Sequence, residues 1–354
     1  MARRKLIWHL GLAHAPRPVI GANLEAHREH LAQAGVQVVA TADEARLATH
    51  ELLRTHLQEG LSRPEVEGRW ARVCDRVWQH KGVSLVSTPD LCAADKDQIR
   101  LALDPLIGVE VHLVLTVDSF AGQLYGGWLA ELRSGRTTGW EKYADRVLAP
   151  TPEHRQGEQF WAGHDLPAML SRWGWTFHAD RSHVLALPDI GEQWRQLLDI
   201  AGVPGEDLVP VVPAYPDPAG VAVLRRVNRQ LEQPLGPSTV ALLTAGDPGG
   251  AAMPVIDTGS LAPRVERWTE TLTSAGHDLR GKLATLVGEG DGTPMPGPKD
   301  QLGIAVDALA DALAENCRLR TVLDALESDR ERLDRKRRKL KRKLERQRST
   351  APTR

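Results

Sequence analysis

The 354-residue sequence predicts an α/β fold, three layers deep with a central, mostly parallel sheet, followed by a C-terminal coiled-coil helix. Three observations carry that expectation. Short apolar runs alternate with longer stretches of helical period, the pattern of strand–helix–strand crossovers. A Pro- and Gly-rich stretch, "GEGDGTPMPGPKD" (288–300), reads as a flexible connector. Beyond it, leucine and alanine recur in heptads.

The strand candidates are "KLIWHL" (5–10), "VQVVA" (36–40), "VSLVS" (83–87), "VEVHLVLTV" (109–117) and "SHVLAL" (182–187). Helical patterns fall at 18–34, 43–59, 63–80, 94–105, 119–134, 164–174 and 191–201. Parallel sheets take ligands at the carboxyl ends of their strands, which for the first strand means the turn "GLAHAPRP". From 203 to 264 the chain is rich in proline and glycine around one helix at 219–232, and a further helix is expected near 263–275. The organisation is thus an α/β domain over 1–287, a linker over 288–300, a helix with a basic end over 301–348 and a disordered tail over 349–354.

Hydrophobic residues make up 42% and charged residues 26%, ordinary values for a water-soluble globular protein. Cys74, Cys92 and Cys317 are far apart and have no metal spacing, which suits a reducing, cytoplasmic setting. The basic-then-apolar N-terminus is too short and too interrupted by His9 for a secretion signal. No run approaches the roughly 18 apolar residues of a membrane span. The net charge of −1 hides a split: residues 329–348 carry +8, so the rest of the chain carries −9.

With Leu302 at heptad position a, the a series runs Leu302, Leu309, Asn316, Leu323, Arg330, Arg337 and Leu344, and the d series Ala305, Ala312, Leu319, Leu326, Leu333 and Leu340. Ten of these thirteen positions are apolar. The expectation is a homodimer, or pairing with another coiled-coil chain, through 302–326. An asparagine at an a position is a device that fixes register, whereas two arginines weaken the later part. The basic stretch 335–348 could meet an anionic surface or nucleic acid, although it has no interleaved aromatics for base stacking. The plain alternatives are a helix packed on the body and a solubilising tail.

Several segments together resemble a sulfotransferase-like family of actinobacteria with a P-loop-type α/β fold: "RRKLIWHLGL", "NLEAHREHLAQAGV", "VEVHLVLTVDSFAGQL", "FWAGHDLPAMLSRWGWTFHADRSHVLALP", "GVAVLRRVNRQL" and "SAGHDLRGKLATLVGE". They keep their order over roughly 4–287, and the heptad helix lies outside them. The resemblance implies transfer of sulfate from 3′-phosphoadenosine 5′-phosphosulfate to a hydroxyl or amine of a glycan, lipid or small molecule. Such an enzyme grips the 5′ end with a Gly-x-x-Lys-x-Gly-Thr-Thr loop and the 3′-phosphate with an arginine and a later serine. An acidic group or histidine takes the acceptor's proton.

This sequence departs from each part of that pattern. Gly11 matches the first glycine, His14 stands at the lysine, Pro16 at the second glycine, and Arg17 and Pro18 at the threonines. Proline has no N–H to give a phosphate. The arginine position falls on Asp118, whose charge would repel a 3′-phosphate, and the serine position falls near Gly126. Arg133 and Arg136 lie a turn or more further on. At the proton-acceptor position stand Thr88 and Pro89, with Asp90 next, and Asp90 reads more readily as the N-cap of a helix. The resulting expectation is a catalytically degenerate binding or assembly partner that holds no cofactor. The alternative is an active sulfotransferase that grips its donor through Gly11, His14 and Arg17, with His14 or Asp90 as weak catalytic candidates.

Other residues are read more plainly. His27 and His30, at i, i+3 spacing, could hold a metal on one helix face, but with no third ligand in view they read as solvated surface, and no metal is expected. Trp161, Trp173 and Trp175 read as core. Trp128 and Trp140 flank "LAELRSGRTTG", expected to be a mobile loop, and are the best aromatic candidates for an acceptor platform.

Overall fold

In the computed structural model a six-stranded sheet runs in the order β2–β3–β1–β4–β5–β6, with β1 Lys5–His9, β2 Val36–Val38, β3 Val83–Ser87, β4 Glu110–Thr116, β5 Ser182–Ala186 and β6 Asp278–Gly281. Every neighbouring pair is parallel. The structure describes residues 4–349 except 152, 175–177, 206–207, 247–252 and 289–291. By contacts the chain divides into Met1–Gly297 and Pro298–Arg354.

β1 is buried on both faces, as a central parallel strand must be. Ile7 packs into a cluster with Ile20, Leu24, Leu185, Trp194 and Leu197. Trp8, one residue on and therefore on the other face, stacks on Trp70 at 4.8 Å and meets Trp173 edge-on at 5.3 Å. Its indole N–H donates to Thr88 Oγ1 at 2.6 Å, so the polar handle of this core tryptophan is satisfied just beyond β3. The two faces together fix the height of β1, and with it the turn that leaves its end.

The five expected strands are present, each trimmed by up to two residues. Two expected helices are broken. The 18–34 pattern divides at His27 into Val19–Ala26 and Arg28–Gln33, and the 63–80 pattern divides at Glu67 and Gly68, where Gly68 is left-handed (φ 75°). Strand β6 and the helices Trp140–Leu148, Arg155–His164 and Pro237–Leu243 were not among the expected elements. The second unit contains one helix, Pro298–Ser349, 52 residues long. Among the described residues no helix is long and apolar enough to cross a membrane.

Candidate functional site

The strand order makes a switch point at β1: β2 and β3 lie on one side of it, β4, β5 and β6 on the other. In open α/β sheets the crevice outside the strands at such a point is where ligands bind. A cavity of ≈ 220 Å³ lies there, at the carboxyl ends of β1, β3 and β4.

Its floor is made by the last residue of each of those strands. His9 ends β1, Ser87 ends β3 and Thr116 ends β4. The His9 ring bridges the other two, Nδ1 to Ser87 Oγ at 2.8 Å and Nε2 to Thr116 Oγ1 at 2.9 Å. Burial alone pushes the imidazole down to about 3, so it is neutral and carries one ring proton. One hydroxyl therefore accepts from His9 and the other donates to it. The apolar wall comes from Leu12, Ala15, Val19, Ile20 and Ala45. Arg46 and His50 stand on the wall formed by helix Ala42–Leu53. Arg46 is paired with Asp43, and burial lowers the His50 pKa while Nδ1 meets Thr55 Oγ1 at 2.9 Å.

The turn after β1 is closed on itself. Gly11 and His14 are both left-handed, φ 56° and 58°. A side chain at Gly11 would also meet Pro89 Cβ at 3.0 Å and the His9 ring at 3.2 Å, so glycine is required there on two counts. The His14 backbone N–H donates to Asp90 Oδ1 at 3.3 Å, and its ring Nδ1 lies 3.7 Å from the same oxygen. The His14 carbonyl is pressed on helix Phe120–Arg133 at Gly126, where a Cβ would come within 1.9 Å of that oxygen. The Val19 amide, first in the following helix, turns back onto the Arg17 carbonyl at 2.8 Å. Pro18 occupies the N-cap, with no side chain to cap the helix.

Arg17 and Asp118, which the sequence resemblance placed at two separate anchor positions, meet each other: Nη2 to Oδ2 is 3.7 Å. The guanidinium also lies over the Tyr215 ring, 3.9 Å from its centroid. Asp118 accepts from the Ser119 N–H at 2.7 Å and so shapes the turn into helix Phe120–Arg133, whose first turn Ser119 caps through the Gly122 N–H. Buried between these groups, and beside the Asp118 charge, the Tyr215 phenol is pushed well above its ordinary range. The one cation that the turn contributes to the cavity thus has its own counter-ion.

The structure gathers Gly11, Arg17, Asp90 and Asp118 around the cavity, holds His14 at Asp90, and puts Gly126 beneath the turn rather than in the cavity wall. Arg133 and Arg136 do not line it. Asp90 sits in the single turn Pro89–Ala93 and faces His14; the helix cap expected of it is supplied by Asp95, which accepts from the Gln98 N–H at 2.8 Å. Trp128 and Trp140 are no exposed platform. They are buried against each other at 5.5 Å, and the Trp128 indole donates to Thr138 O at 2.9 Å, tying down the loop expected to be mobile. Trp161 and Trp173 are buried, Trp161 under the Arg264 guanidinium, while Trp175 lies outside the described residues. His27 is not solvated surface: it stacks on Trp194 at 5.7 Å and reaches Val209 O at 2.9 Å. Among the described residues no group of three or more His, Cys, Asp or Glu could hold a metal ion.

His9, Ser87, Thr116 and His50 were not singled out from sequence as site residues. A signal was available for the first three, since each is a polar residue among the last two positions of its strand candidate. His9 and Ser87 also face each other in the β1–β3 register.

No family model matches this chain, and no curated protein matches it. Among solved structures the crystal structure of a sulfotransferase from Alicyclobacillus acidocaldarius is similar, with a TM-score of 0.39 and 12% identity over 66% of this chain and 98% of that one.

Proposed function

We propose that this chain is a sulfotransferase-fold protein of the P-loop type whose nucleotide-sulfate site is catalytically degenerate, and that it acts as a binding or assembly partner. The observation that carries this reading is the Arg17–Asp118 pair beside a turn whose His14 amide is already bonded to Asp90. A donor with two anionic ends needs unneutralised cations and converging backbone N–H groups. Here Pro16 and Pro18 have no N–H, Arg17 is neutralised, and the buried His9 has no charge to offer. The residues present do not fit 3′-phosphoadenosine 5′-phosphosulfate. What supports an assembly role is the long helix Pro298–Ser349 with its row of exposed leucines, through which a second copy or a related coiled-coil chain would pair over 302–326. A cytoplasmic setting has the support of three free cysteines.

Incubation of the full chain with sulfur-labelled 3′-phosphoadenosine 5′-phosphosulfate and a panel of phenol, sugar and amine acceptors tests the reading. The expected result is no transfer above that of a His14→Ala/Arg17→Ala variant. Transfer by the natural chain that this double variant loses would establish the active enzyme with an altered anion grip instead.

A further inference from the structure

The helix Pro298–Ser349 is amphipathic but shows its apolar seam to solvent. Leu302, Leu309, Leu323, Leu326, Leu333 and Leu340 are each 57–63% exposed. Removing apolar surface from water is favourable, so six such side chains represent a large driving force for pairing. The seam is also asymmetric along its length. Residues 298–329 carry seven acidic and three basic side chains, whereas 330–341 carry eight basic and two acidic.

We propose that this helix pairs with the same helix of a second copy in antiparallel orientation, overlapping from Leu302 to Leu340. This rests on the self-pairing reading above and adds its direction. In an antiparallel pair each a residue faces a d residue of the other chain. Centred between residues 302 and 340, the layers become Leu302 with Leu340, Leu309 with Leu333 and Leu323 with Leu319. Arg330 then faces Ala312, and Arg337 faces Ala305. The long arginine stems lie over the smallest residues of the seam, and Glu315, at the flanking g position, is near Arg330 of the other chain. A parallel, in-register pair does the opposite. It stacks Arg330 on Arg330 and Arg337 on Arg337, sets two alanine layers against themselves, and puts one basic half beside the other. Its one gain is Asn316 facing its own copy, which costs the antiparallel pair an asparagine set against Leu326. Two like-charged layers and two underfilled ones outweigh that gain.

The direction predicts a distance and a salt response. In the full chain with Cys317→Ala, a spin label on Gly303→Cys reports directly, because Gly303 is exposed and a side chain there meets nothing within 4 Å. The antiparallel pair separates the two labels by about 54 Å, at 1.5 Å per residue, whereas a parallel pair holds them within about 20 Å. The dimer of the unlabelled chain should loosen several-fold as sodium chloride rises from 50 to 500 mM, since salt screens attraction between opposite halves. A short label distance, or a dimer that tightens with salt, overturns the antiparallel assignment and leaves self-pairing standing. A monomer at concentrations up to 100 μM, or a dimer unaffected by Leu309→Asp together with Leu323→Asp, overturns both.

Discussion

His9 shows how a single buried side chain ties stability to the site. In the folded protein the ring is neutral down to about pH 3, because burial lowers its pKa to about that value. In the unfolded chain it titrates near 6.5. The unfolded state thus binds the extra proton between those limits, and stability falls as pH drops from about 6.5 to 3, by ~4 kcal/mol in total from this group. Denaturant unfolding at successive pH values should show that loss, and His9→Gln should flatten it; an unchanged slope in the variant would mean that other groups set the acid limit. At Asp118 the effect is on binding. Asp118→Asn leaves Arg17 on Tyr215 but removes its counter-ion, so the variant should gain measurable affinity for inorganic sulfate over the natural chain. Equal affinity in both would show that the aspartate does not silence Arg17. Both halves of that pair stood out in the sequence, as positions that differ from the donor-site pattern the chain resembles. That they face each other was not, because 101 residues separate them and only the adjacency of β1 and β4 brings the two turns together.

Among the elements, strands and helices with a strong apolar period were legible, and those held by polar contacts were not. β6, "DLRG", has one apolar residue and reads as loop. It is fastened instead by side chains: Asp278 accepts from His183 at 2.7 Å, and Arg280 donates to both Asp278 and Asp199. The helix pattern at 18–34 breaks at His27 because that residue is pulled to Val209 O and stacked on Trp194, a contact that local sequence does not contain. In helix Phe120–Arg133, Gly126 is a poor helix former by propensity, yet any side chain there would collide with the His14 carbonyl. Gly126→Ala should therefore lower stability by about 2 kcal/mol, as overpacking does, although the change favours the isolated helix by ~1 kcal/mol. A melting temperature raised by the substitution would show that the turn after β1 yields easily.

On the scale of the whole molecule, the fold has the architecture of a ligand-binding α/β sheet, and the proposed reading is that its switch point does not serve an anionic donor. The cavity lies where parallel sheets bind ligands, with neutral hydroxyl and imidazole groups on its floor and its two arginines, Arg17 and Arg46, each paired with an aspartate. Along the helix Pro298–Ser349 runs a row of exposed leucines. Both features support the proposed reading of a chain that assembles rather than catalyses. Isothermal titration of the full chain with adenosine 3′,5′-bisphosphate measures this most directly. The account predicts heats no different from dilution up to 1 mM nucleotide. A saturable isotherm in the micromolar range would contradict it, because it would mean that the turn at Gly11–Pro18 still closes around a doubly charged ligand.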